Sequence, residues 1–253
     1  MKKLLVSLAD KYEKASFCNE DPSQFLRWYK KSAAAADIET ASFIAAMLAF
    51  GSRSQFIPKI KQILQTADKS SGSITSWLKT GTYKKDFPTG TKKFYRFYSY
   101  DDMHTFFAEL ASLLKQDGSP GKYFKKQWEQ IPEENRRPRA KLNLSDIIGA
   151  AFPKSRIVPK GRSSANKRTH MFLRWMVRQN SPVDLGLWKW YPQSLLIIPL
   201  DVHVMQEAQK LGLINKKATA SRKTAEALTA QLEQAFPADP CRGDYALFGL
   251  GVN

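Results

Sequence analysis

Residues 166–179, NKRTHMFLRWMVRQ, combine an apolar helix pattern with four cations. Met171, Phe172, Leu173, Trp175, Met176 and Val177 demand burial, yet Lys167, Arg168, Arg174 and Arg178 share the segment. Unpaired charges are rarely kept inside a core, because desolvating an ion costs far more than burying a methylene gains. At roughly 100° per residue, Lys167, Arg174 and Arg178 fall within about 40° of one another, with Phe172, Leu173 and Met176 opposite. The pattern predicts a core helix whose basic stripe faces a cleft or a surface. Such a stripe either binds an anion or is a solvated face with no further role.

The residues before the helix favour an anion. FPKSRIVPKGRSSANKR places Pro159, Gly161 and the pair Ser163–Ser164 just ahead of the helix start. A small-residue hairpin feeding a helix N-terminus exposes backbone N–H groups without internal partners, which is a phosphate site. Lys154, Arg156, Lys160 and Arg162 surround it. The expected backbone-contacting set is Lys154, Arg156, Lys160, Gly161, Arg162, Ser163, Ser164, Arg168, Arg174 and Arg178, held against nucleic-acid phosphates. Downstream, IIPLDVHVMQEAQKLGL sets Asp201 between an apolar run and an amphipathic helix. Aspartate there is either an N-cap or an acid poised at a site.

The elements that must position these residues read as helical. DPSQFLRWYKKSAA opens on an Asp-Pro start signal. DIETASFIAAMLAFGSRSQFIPKIKQILQTA reads as two helices broken at Gly51–Ser52, the first so continuously apolar that it is central. SGSITSWLKTG is a cap and a short helix, and SYDDMHTFFAELASLLKQDG a longer one with an acidic start and a Gly stop. KKFYRFYSY alternates like a strand but stands alone, so an extended connector without a sheet is expected. Residues 130–141 form a basic, Pro-punctuated loop; NLSDIIGAAF, a helix at 221–235 and CRGDYALFGLGVN complete the chain. The expected fold class is all-α, with about ten helices and few or no strands.

Composition bounds the partners. The chain has 253 residues, 43% of them hydrophobic, and a net charge of +17. That excess points to a polyanion, nucleic acid ahead of an anionic membrane; a solubilising surface is the alternative. No apolar run reaches the ~18 residues that a membrane span needs. The N-terminus MKKLLVSLADKYEKASF lacks the longer apolar core and cleavage site of a secretory signal and continues as an amphipathic helix. A cytoplasmic, nucleoid-associated monomer is expected. Cys18 and Cys241 are too few for an iron–sulfur cluster or a closed zinc site, and His104, His170 and His203 form no metal motif. The thiols are expected to be unpaired, with no metal and no cofactor.

PKGRSSANKR, PLDVHVMQEAQKLGL and DYALFGLG together resemble the helix-hairpin-helix DNA glycosylase superfamily, the group that includes endonuclease III and the 8-oxoguanine glycosylases. The likeness covers roughly residues 38–250. FLRWMVR, VDLGLW and IPLDVHV also resemble a bacterial family of uncharacterised proteins. The superfamily resemblance implies two helical subdomains flanking a cleft within one unit, 1–253: a central one at 38–200 with its hairpin at 154–167, and a second at 1–37 plus 201–253. Three departures stand out. VPKGRSS lacks the second glycine of the superfamily hairpin, Lys167 and Asp201 lie 34 residues apart, and the iron–sulfur cysteines are missing. The spacing resembles that of the archaeal 8-oxoguanine glycosylases, and substrate choice stays open.

The same resemblance implies base-excision repair of damaged duplex DNA. The base is flipped from the duplex, and a lysine amine attacks C1′. Lys167 matches the lysine and Asp201 the catalytic aspartate, which stabilises the developing oxocarbenium charge. Implied activities are base release and AP-lyase cleavage at an oxidised purine such as 8-oxoguanine. Trp175, Trp188 and Trp190 are candidates for stacking on the flipped base, with core packing the alternative for each. A second reading keeps the fold without the chemistry, as a DNA-binding module or an RNA-binding protein that uses KKFYRFYSY as a stacking strip.

Overall fold

The computed structural model describes residues 1–30, 33–136 and 142–252. Among them are twelve α-helices, several short 3-10 turns and one two-stranded hairpin, so the fold is mostly helical. No helix among the described residues is long and apolar enough to cross a membrane. Packing divides the chain into two compact units. Unit one comprises 1–19, 132–146 and 160–253; unit two comprises 20–131 and 147–159.

Unit one begins with α1 (Lys2–Tyr12), which buries Leu5 and Ala9. Unit two follows. Its first segment, expected as a helix from the Asp21-Pro22 start, is a 3-10 turn at Pro22–Arg27. Asp21 accepts from the Ser23 N–H at 2.9 Å, a short Asx closure that competes with a regular helical turn. α2 (Ala35–Leu48) is buried on nearly every side and is the central helix the sequence predicts. Its Ala41, Ala45 and Ala46 keep it thin, and Phe43 meets Phe106 and Phe152 at ring-centroid distances of 5.9 and 5.1 Å. Both acids on α2 are tied: Asp37 accepts from the Thr75 N–H, and Glu39 from the Gly121 N–H.

After the Gly51 turn come α3 (Arg53–Ser71), α4 (Ile74–Thr80) and α5 (Tyr83–Asp86). KKFYRFYSY is not a lone connector. It folds as an antiparallel hairpin, β1 (Lys93–Tyr95) with β2 (Tyr98–Ser99). The turn closes because Arg96 adopts φ +50°, and a bulge between Lys93 and Tyr95 lets both Phe94 and Tyr95 turn inward. α6 (Tyr100–Asp117) starts on a capping box, Ser99 with Asp102, and ends at Gly118 in the left-handed conformation. α7 (Pro120–Glu129) completes this stretch. Of the basic loop expected at 130–141, residues 137–141 lie outside the described residues.

The chain crosses between units within α8 (Leu144–Ala150) and returns to unit one at Lys160. There lie α9 (Lys167–Val177), α10 (Val202–Lys210), α11 (Arg222–Leu232) and α12 (Gly243–Val252). α12 runs against α1, and a side chain at Gly249 would place its Cβ 2.2 Å from the Tyr12 ring, so this crossing needs glycine. These units are not the expected 38–200 and 1–37 plus 201–253. Residues 160–200 pack with the C-terminal helices and α1, because the charges of α9 find their partners there. The expected hairpin at 154–167 is divided too, with 154–159 in unit two and 160–167 in unit one.

Candidate functional site

The turn that launches α9 is built from residues 161–166. Gly161 takes φ +95°, and its carbonyl accepts from the Asn166 side-chain amide at 2.8 Å. Asn166, itself left-handed at φ +43°, stands at the N-cap position without a side-chain capping bond. Ser164 bridges Ser221, and the Ser163 carbonyl accepts from the Arg222 N–H at 2.9 Å. The small-residue loop is therefore clamped to the start of α11. Gly161, Arg162, Ser163 and Ser164 remain exposed, as does Lys160.

Lys167 opens α9, and its Nζ lies 3.1 Å from Oδ2 of Asp201. The other oxygen, Oδ1, accepts from the Val204 N–H at 2.9 Å and caps α10. Both readings of Asp201 hold at once: it is an N-cap and the partner of a lysine. The Lys167 side chain keeps 35% of its surface and that of Asp201 15%, so the pair is reachable from solvent. Asp244, at the start of α12, is the buried neighbour of this pair. Burial pushes its carboxyl up to about 6; Arg174 opposes the shift, the negative charge of Asp201 adds to it and Lys167 opposes it.

Arg174 and Arg178 do not form a nucleic-acid stripe. Both are buried, at 4% and 2% exposure. Arg174 pairs with Asp244, and its Nε lies 3.3 Å from Asp184. Arg178 grips Asp239 through Nε and Nη2 at 2.8 and 2.7 Å, and its Nη1 meets Glu13 at 2.9 Å and Asp184 at 2.6 Å. The Tyr245 hydroxyl donates to Asp184 at 2.8 Å, and its ring lies under both guanidinium groups. The apolar helix keeps Arg174 and Arg178 inside because both are matched within unit one by acids, from α12, from the segment after α9, from Asp239 and from the end of α1. Composition shows no sign of this seam. A subtler signal exists: VDLGLW and GDYALF each carry a lone acid in an apolar run, and a buried acid requires a partner.

The aromatic candidates separate. Trp175 is wholly buried in the core, and Trp188 is 1% exposed with its ring edge on Phe172. Neither is open to a flipped base; both are core residues, fixed there by the apolar face of α9. Trp190 is half-buried and stacks on Trp188 at 5.4 Å. His170 is also buried, and neither ring nitrogen has a hydrogen-bond partner. Burial, helped by the charge of Arg222, pushes its pKa down to about 3, so it is a neutral core residue. Cys18 and Cys241 are both buried.

In unit two, Lys154 and Arg156 are exposed. Glu109 holds their loop by accepting from the Lys154 and Ser155 N–H groups at 2.8 and 2.9 Å. Arg156 lies 3.8 Å from Asp102, a loose contact for a side chain that is 69% exposed. Arg168 is half-buried in the first turn of α9. The expected cations thus divide into exposed ones, Lys160 and Arg162 on unit one and Lys154 and Arg156 on unit two, the half-buried Arg168 and two sealed arginines.

No curated protein and no solved structure matches this chain. Residues 21–253 match the family model described as "Protein of unknown function (DUF2400)", and the chain belongs to that family.

Proposed function

We propose that the protein is a DNA glycosylase with AP-lyase activity, acting on an oxidised purine such as 8-oxoguanine in duplex DNA. The observation that carries this reading is the 3.1 Å pairing of Lys167 with Asp201 across 34 residues of sequence. An amine and a carboxylate at two helix starts, both partly open, suit attack on one carbon. In the proposed reaction, Lys167 first gives up its ammonium proton, and the neutral Nζ supplies the electron pair for a bond to C1′. The C1′–N bond breaks, its electron pair leaves with the base, and the base takes up a proton. Asp201 offsets the positive charge that develops on the sugar. Lys160, Arg162, Ser163 and Ser164 are the proposed phosphate contacts near the α9 start, with Lys154 and Arg156 as further cations on unit two.

A second reading, a nucleic-acid-binding module without chemistry, is favoured by one feature: both carboxylate oxygens of Asp201 are already engaged by the protein. Borohydride trapping separates the two. Wild-type protein should cross-link to a duplex bearing 8-oxoguanine or an abasic site, and Lys167→Gln should not. Cross-linking by Lys167→Gln at the wild-type rate would exclude Lys167 as the nucleophile. No cross-linking by the wild type across a panel of lesions would favour the binding module.

A further inference from the structure

The side chain of Asp184 is fully buried, and three donors converge on it. Nη1 of Arg178 reaches one oxygen at 2.6 Å; the Tyr245 hydroxyl, at 2.8 Å, and Nε of Arg174, at 3.3 Å, face the other. The loop that carries it is stitched onto the end of α9. The Trp175 and Met176 carbonyls, which a helix end leaves without partners, accept from the Leu185 and Trp188 N–H groups at 2.8 Å each. Gly186 turns the chain at φ +60°, where a Cβ would stand 2.9 Å from the Arg178 carbonyl oxygen. Ser181 closes the near side: its hydroxyl oxygen accepts from the Asp184 N–H at 3.1 Å and donates to Glu13. Backbone contacts therefore fix this carboxylate against α9.

The arginines it meets are shared. Arg178 is claimed by Glu13 and Asp239 as well as by Asp184. Arg174 stands between two carboxylates, Asp184 on one side and Asp244 on the other. One guanidinium serves two acids, so what one gains in stabilisation the other loses. Asp244 is also the buried neighbour of the Lys167–Asp201 pair. The charges that bear on it are Arg174 and Lys167 from α9 and Asp201 from α10. The nearby Cys241 thiol, pushed up by burial, stays neutral. Attack by Lys167 needs a neutral amine, and a second full carboxylate beside Asp201 would hold the ammonium proton more tightly.

We propose that Asp184 is a positioning residue for attack by Lys167: it takes a share of Arg174, leaves Asp244 incompletely paired and so lightens the negative charge around the amine. The proposal rests on Lys167 being the nucleophile; Asp184 itself touches no substrate.

The test compares the full-length wild type with Asp184→Asn, which keeps the size of the side chain and loses its charge. Carboxyl carbon NMR without DNA should find the Asp244 midpoint lower in the variant by about one unit or more, because Arg174 is then left to Asp244. Borohydride trapping on an abasic duplex gives the second readout. At pH 7.5 Asp244 is charged in both proteins, and the two should trap at rates within about twofold of each other. At pH 5.5 Asp244 is mostly protonated in the wild type and mostly charged in the variant, which should trap about threefold slower or more, the equivalent of half a unit on Lys167. A purely structural defect would slow trapping equally at both pH values. An unmoved Asp244 midpoint, or the same ratio of rates at both pH values, overturns the proposal. Tyr245→Phe is the milder probe if the Asn variant fails to fold. It removes one donor from Asp184, leaves that oxygen to Arg174 and should move the Asp244 midpoint up; a midpoint that stays or falls overturns the proposal as well. A wild type that never traps ends the glycosylase reading and this role with it, whereas normal trapping with identical pH profiles ends this role alone.

Discussion

Asp201 holds Lys167 with one carboxylate oxygen, 3.1 Å from Nζ, and caps α10 with the other. Two substitutions separate these duties. Asparagine keeps a capping oxygen at the N-cap but loses the charge; alanine loses both. Asp201→Asn should therefore melt close to wild type and bind duplex DNA normally, yet release base slower by orders of magnitude, since losing one transition-state electrostatic partner costs ~3 kcal/mol or more. Asp201→Ala should show the same defect and lose a further ~1 kcal/mol of stability. Wild-type base release by Asp201→Asn, in single-turnover kinetics, would reduce the residue to a cap.

Exposed and sealed cations should respond in opposite ways. Replacing Arg156, Lys160 and Arg162 together by alanine removes three exposed charges, so the slope of log affinity against log salt should flatten while the melting curve stays in place. Arg178→Met should do the reverse. It takes away the cation that grips Asp239 and one of the partners of Asp184, which keeps Arg174 and Tyr245, and of Glu13, which keeps Arg242, and breaking a buried pair of this kind typically costs about 3–5 kcal/mol. An unchanged slope in the triple variant would remove this turn from any interface with DNA.

That contrast marks where sequence reading reaches its limit. The helical period correctly placed Lys167, Arg174 and Arg178 on one side of α9, and it identified the central α2 and the capped start of α6. Period fixes which residues share a face but not what covers it. The partners of the α9 arginines come from positions 13, 184, 239 and 244, and no local pattern joins those sites. Lys167 and Asp201 were legible because each opens a helix, where cap and turn residues announce themselves within a few positions. The hairpin was missed because its strands are two and three residues long and a bulge breaks the alternation that would reveal it.

Asp244 offers an electrostatic check on the Lys167–Asp201 pair. Burial, opposed by Arg174, lifts its carboxyl from 3.8 to about 6. Between those values the folded chain holds a proton that the unfolded chain has released, so this group's share of stability falls as pH rises through that window. Carboxyl carbon NMR should show Asp244 titrating near pH 6. Asp201→Asn removes a neighbouring negative charge and should move the midpoint down; Lys167→Gln removes a positive one and should move it up. A midpoint indifferent to both substitutions would mean that Asp244 is electrically isolated from the pair.

His170 should govern part of the response to acid. Its ring is buried without a hydrogen-bond partner, and burial, with the nearby charge of Arg222, pushes its pKa from 6.5 to about 3. Above pH 6.5 the ring is neutral in both the folded and unfolded chain and adds no pH dependence. As pH falls below 6.5 the unfolded chain takes up a proton that the folded chain refuses, so stability is lost down to about pH 3. The slope for one such group is about 1.4 kcal/mol per pH unit. His170→Leu leaves no hydrogen-bond partner orphaned, because the ring nitrogens have none. Its stability at pH 7.5 should be within about 1.5 kcal/mol of wild type, while its urea midpoint should decline less steeply between pH 6.5 and pH 4.5. Arg222 is tied to Asp146 at 3.3 Å and to Glu226 at 2.6 Å. Identical pH profiles for the two proteins would show that His170 is protonated in the folded chain, and that its surroundings are far more polar than the packing of α9 implies.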